Sequence, residues 1–143
     1  MFRSKKPFNY TMEDLLDFND KTLGKELALY LRRKNFRLIP GYVKHDCKHI
    51  ILGYDMDETG EAAMQFYFLG NRHYTVPVVM TTIFCFFLMP EHWKMFLQEF
   101  RKGRSSAPFP DIDPLIAVRM KTQDLRLQYL VTNNNHYERA NRA

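Results

Sequence analysis

The chain has 143 residues, 45% hydrophobic, 15% aromatic and 26% charged, with a net charge of +5. That length suits one domain with a core of its own, and two cysteines exclude a disulfide-built scaffold. Lys and Arg fall in short clusters (Arg3-Lys5-Lys6, Arg32-Arg33-Lys34-Arg37, Arg101-Lys102-Arg104) without the aromatic and basic ladder of a nucleic-acid groove, so no nucleic-acid partner is expected.

Residues 1–10 read as a loose basic arm. Thr11 and Asp14 have capping spacing, and apolar residues then recur at Leu15, Leu16, Leu23, Leu27, Tyr30 and Leu31. That pattern predicts one long helix, or two short ones broken near Asn19-Asp20. Pro40-Gly41 punctuates the chain. A helix is predicted from Tyr42 to Leu52, with Gly53 closing it. After a polar connection a further periodic run spans Glu61 to Leu69.

Val76 to Met89 is the longest apolar stretch, 14 residues including Pro77, Thr81 and Thr82. A membrane-spanning helix needs about 20 residues, so this run is expected to be a buried core helix or the lining of an apolar cavity. Its Val, Ile and Phe content also reads as strand. Trp93, Phe96, Leu97 and Phe100 make an amphipathic helix after Pro90. A Pro- and Ser-rich loop covers residues 103–114, Pro114 starts the last helix, and residues 133–143 read as a frayed polar tail. The expectation is all-α: a single compact domain, residues 1–143, of six or seven helices. With two cysteines and no apolar run among the first ten residues, a reducing, cytoplasmic setting is expected.

Chemistry concentrates in His45-Asp46-x-x-His49, followed at position 61 by Glu61. On a helix His45 and His49 are four apart, about 6 Å along the axis, and share a face that Asp46 borders. Gly53 and the polar link let the chain turn, with Glu61 in the first turn of the next helix. Two imidazoles and two carboxylates, His45, Asp46, His49 and Glu61, suit Zn2+, and also Fe2+ or Mn2+. An H-x-x-x-H pair also arises by chance, and Cys47 and Cys85 read as core. The segment is not H-E-x-x-H, because Asp46 stands where the Glu base would be. It contains the His-Asp pair of HD phosphohydrolases, but no His precedes position 45 to supply the upstream ligand that family needs.

The pattern HDxxH, eleven residues, then E, with Tyr42, Gly53 and the Gly60-Glu61 pair, resembles the ubiquinone (coenzyme Q) biosynthesis protein family. The resemblance runs from about Tyr42 to Pro114. It implies an all-helical fold and metal ligands at His45, Asp46, His49 and Glu61. It further implies an apolar groove for a prenyl tail, and peripheral association with the membrane inner face near a quinone-biosynthesis complex. The activity it implies is removal of a ring carboxyl with hydroxylation of the same carbon. Candidate groove residues are Phe66, Phe68, Val79, Met80, Ile83, Phe84 and Phe87, since Met and aromatic side chains adapt to irregular apolar ligands. Ordinary core packing is the competing reading for each.

Three functions are therefore weighed. The first is a metal-binding protein acting on or presenting a prenylated quinone precursor. The second is a non-catalytic lipid-binding scaffold with a structural metal. The third, weakened by its missing His, is an HD-type phosphohydrolase. No catalytic residue is assigned. Self-association is expected, because so many apolar groups must be covered.

Overall fold

Short-range hydrogen bonds set where the helices begin. In the computed structural model, which describes residues 6–131, Thr11 caps α1 (Met12–Leu16). Its hydroxyl accepts from the Asp14 N–H at 3.2 Å, while the Asp14 carboxylate accepts from the Thr11 N–H at 2.8 Å. Thr22 caps α2 (Leu23–Arg33) through the Lys25 N–H. Between them Lys21 takes a left-handed φ of 66°, which resolves the N-terminal pattern into two short helices.

A 3-10 turn at Pro40–Tyr42 leads into α3 (Val43–Leu52), and Gly53 follows it at φ 78°, the left-handed position that favours glycine. Asp57 caps α4 (Glu58–Gly70) by accepting from the Gly60 N–H at 2.6 Å. Next come α5 (Val76–Leu88), with Pro77 in its first turn, and α6 (Trp93–Ser105). Asp113 caps α7 (Pro114–Ala117), and α8 (Thr122–Arg126) passes into a π turn at Leu127–Val131.

The described residues thus hold eight α-helices and no strand beyond one isolated bridge, Thr22 to Lys121. The count exceeds six or seven because the last predicted helix breaks at residues 118–121. The outer half of the expected basic arm and the expected tail lie outside the described residues.

By contacts the chain divides into two compact units. The first comprises residues up to Ile51 together with Ile112–Leu125. Here α1 packs on α2, and the first N–H groups of α2 are satisfied from the distant segment. Leu23 donates to the Met120 carbonyl at 2.8 Å and Gly24 to the Val118 carbonyl at 2.9 Å. A Cβ on Gly24 would sit 2.8 Å from that Val118 oxygen, so the approach requires glycine. Leu15, Leu23, Leu27, Ala28, Val43, Cys47, Val118 and Leu125 are fully buried.

The second unit comprises Leu52–Asp111 and the chain from Arg126. It is built on α4, which packs against α6 and α5. Two glycines set the α4–α6 distance. A Cβ on Gly103 would fall 1.9 Å from the Tyr67 carbonyl oxygen, and one on Gly70 would fall 2.0 Å from that of Phe100. Phe66 stacks on Phe96 with ring centroids 4.3 Å apart. Buried Asn71 fastens the loop after α6. Its amide donates to the carbonyls of Gly103 and Ala107 and accepts from the Phe109 N–H at 2.7 Å. The Tyr54 hydroxyl donates to the Glu99 carboxylate, tying the segment before α4 to α6.

The apolar run from Val76 is helical, and it is not a core helix. It buries only Val78 and Thr82, while Val76, Met80, Ile83, Phe84, Phe87 and Leu88 are half or more exposed. No single described helix is long and apolar enough to cross a membrane. α5 and the segment Pro90–Ser105 reach that length only together, across a 102° bend.

Candidate metal centre

On α3 the fully buried residues Val43, Cys47 and Ile51 recur every four positions and fix the inner stripe of the helix. The neighbouring stripe then carries His45 and His49, as the spacing predicts. His49 is 1% exposed, and its ring meets that of His45 edge-on, with centroids 4.8 Å apart. A ring buried this deeply must have its polar atoms engaged. The sequence expectation counts Asp46 as a fourth ligand. The structure places its Oδ1 3.4 Å from His45 Nδ1. A carboxylate near the far ring nitrogen is a usual partner behind a metal-ligating histidine. Cys47 belongs to the inner stripe, and burial, with the Asp46 charge behind it, pushes its thiol up to about 12.

Glu61 stands in the first turn of α4 because Gly60 allows the preceding turn to close. A Cβ there would lie 2.1 Å from the Asp55 carbonyl oxygen. One turn further along, Gln65 Nε2 donates to Glu61 Oε1 at 2.6 Å. His45 and His49 lie on α3 in the first unit and Glu61 on α4 in the second, and the sequence motif makes them one candidate ligand set. Two imidazoles and one carboxylate fit a divalent metal. They are the ligand set of zinc sites with an open coordination position and of non-haem iron sites. A second observation agrees with a polar centre here: Gln65 Oε1 is buried and has no hydrogen-bond partner among the described residues.

Beside Glu61, within the second unit, α4 and α5 enclose an open pocket of about 570 Å³, within the size range of small-molecule sites. Its walls are Glu58, Glu61, Ala62, Phe84, Cys85, Leu88, Met89 and Glu91. Burial, and then the Glu61 charge, raises the Cys85 thiol. Of the residues expected to form a groove, Phe84 lines this pocket. Phe66 and Phe68 are buried instead, Phe66 against Phe96 and Phe68 against Phe109. Met80, Ile83 and Phe87 lie on the exposed face of α5, with Val79 half-buried.

Sequence reasoning missed Glu58, Cys85, Leu88, Met89, Glu91 and Gln65. Helical spacing carries the signal for most of them. Gln65 is four on from Glu61, Glu58 is three before it, and Leu88 and Met89 are three and four on from Cys85.

No family model and no curated protein matches the chain. Among solved structures the chain is similar to a protein of Nostoc punctiforme named for ubiquinone biosynthesis. The match has a TM-score of 0.62 at 21% identity and covers 87% of this chain and 70% of the other. At that identity the likeness is one of fold: the helical arrangement built here from local caps and two glycine contacts also occurs in that protein.

Proposed function

We propose that this chain is a metal-binding protein of isoprenoid quinone biosynthesis, holding one divalent ion, Zn2+ or else Fe2+ or Mn2+, through His45, His49 and Glu61. The observation that carries the reading is the His45-Asp46-x-x-His49 segment, with its two imidazoles 4.8 Å apart on one helix and Glu61 following at the motif's spacing. The fold likeness to a protein named for ubiquinone biosynthesis supports the pathway. The pocket that shares Glu61 supports the ligand class: its Phe84, Leu88 and Met89 walls suit a prenyl chain.

In this reading the residues divide the work. Asp46 orients His45, Gln65 engages Glu61, and the apolar wall binds the tail and excludes water from the head group. A bound metal would supply Lewis-acid polarisation of a head-group oxygen. Three protein ligands rather than four leave room for that oxygen. The exposed apolar face of α5 supports docking on the membrane inner face, or self-association beside a quinone-synthesising complex.

The same exposed face favours a second reading, a scaffold that presents a prenylated lipid and uses the metal only structurally. Turnover of a prenylated hydroxybenzoate by metal-loaded protein separates the two, since a scaffold binds it and leaves it unchanged. For the metal itself, elemental analysis of purified protein should find about one equivalent per chain, and almost none in His49→Ala. Metal-free wild-type protein whose stability is indifferent to chelators contradicts the proposal.

A further inference from the structure

Two side chains of α4 one turn apart, Glu61 and Gln65, meet through a hydrogen bond of 2.6 Å in which the amide nitrogen donates to the carboxylate. Among the described residues the Gln65 side chain has no other hydrogen bond to explain its place, for its Oε1 is buried and unpartnered. An unpaired buried acceptor is costly. Turning the amide over would not relieve it, because Oε1 would then face the Glu61 carboxylate, acceptor against acceptor. The orientation of Gln65 is therefore dictated by the charge on Glu61.

Resting on the metal reading above, we infer that Gln65 is a positioning residue that aims the Glu61 carboxylate at the metal. The chemistry is that of an outer-shell partner. A glutamate carboxylate turns easily about its last bond, and a metal ligand must present one oxygen in a fixed direction. The Gln65 N–H holds Oε1, so the direction of Oε2 is set as well. Being neutral, the amide orients the carboxylate without discharging it. A Lys or Arg in the same place would compete with the metal for it. Asp46 does the matching task for His45 from α3, so two ligands have a dedicated partner on their own helix.

Co2+ titration followed by its visible absorption bands tests this in wild type, Gln65→Met and His49→Ala. Met keeps the length and apolar stem of Gln and removes the donor. The expected result is a 10–100-fold weaker Co2+ affinity in Gln65→Met with altered band positions, while the melting temperature of the metal-free protein is unchanged. A purely structural role would lower that melting temperature and leave the bands alone. Wild-type Co2+ affinity and bands in Gln65→Met overturn the inference and leave the metal reading standing. A wild-type protein that takes up no more Co2+ than His49→Ala overturns both. Should Gln65→Met fail to fold, Gln65→Asn, whose amide is too short to reach Glu61, carries the same comparison.

Discussion

Single side chains here answer to burial first and to spacing second. Cys47 illustrates this: it lies between the two histidines in sequence, yet its thiol faces the inner stripe of α3 and is pushed up to about 12 by burial and by Asp46. An ordinary thiol ionises near 8.5. Below that value both folded and unfolded states carry the proton and pH has no effect through this group. As pH rises from about 8.5 towards 12 only the unfolded chain ionises, and stability is lost. At pH 10 the loss is about 2 kcal/mol. Denaturant midpoints at pH 7.5 and 10 should show it, and Cys47→Ala should flatten that pH dependence. In native protein a thiol reagent should reach Cys85, on the pocket wall, well before Cys47.

The pairing of His45 and His49 was legible at this scale because a four-residue spacing on a helix has one geometric meaning. The contact of Asp46 was not. Adjacent residues on a helix do not share a face, so its contact with His45 Nδ1 depends on side-chain reach that spacing does not encode.

Among the elements, the α4–α6 pair depends on two residues without side chains. With a Cβ on Gly103 only 1.9 Å from the Tyr67 carbonyl, the helices must separate to admit even a methyl group. Gly103→Ala should cost about 3 kcal/mol in a denaturant titration, and the Phe66–Phe96 stack should loosen with it. Sequence marked Gly103 only as loop, since a glycine near a helix end reads as a terminator. Its packing role depends on a partner more than thirty residues away.

The hydropathy of α5 pointed to a core helix or a cavity lining; Phe84, Cys85, Leu88 and Met89 do line a pocket, while the rest of the helix is largely exposed. Apolar content alone cannot distinguish a helix facing the protein interior from one facing a partner or lipid. Replacing exposed Phe84 and Phe87 together by Asp should leave the fold intact and reduce co-flotation with anionic vesicles at least tenfold. Undiminished flotation would remove α5 from any membrane role. The pocket lining holds Glu58, Glu61 and Glu91 and no basic residue. In metal-free protein a neutral prenylphenol should accordingly bind about tenfold more tightly than the matching prenyl diphosphate, a difference of about 1.4 kcal/mol that calorimetry resolves.

Over the whole molecule, the all-helical class followed from periodicity and caps, and the Thr11 capping box, Gly53 and the helix start at Pro114 sit where the sequence puts them. Less visible was the division into two units, the first of which gathers Ile112–Leu125 to the N-terminal helices. That assembly rests on backbone bonds from Leu23 and Gly24 to carbonyls nearly a hundred residues away, and main-chain partners leave no mark on side-chain patterning. The proposed centre draws on two histidines of the first unit and a glutamate of the second. X-ray absorption at the zinc edge of metal-loaded protein examines this most directly. The expected spectrum has a nitrogen and oxygen first shell with the outer-shell scattering of two imidazoles, which falls to one in His49→Ala. A sulfur shell, or a spectrum that His49→Ala leaves unchanged, would contradict the account.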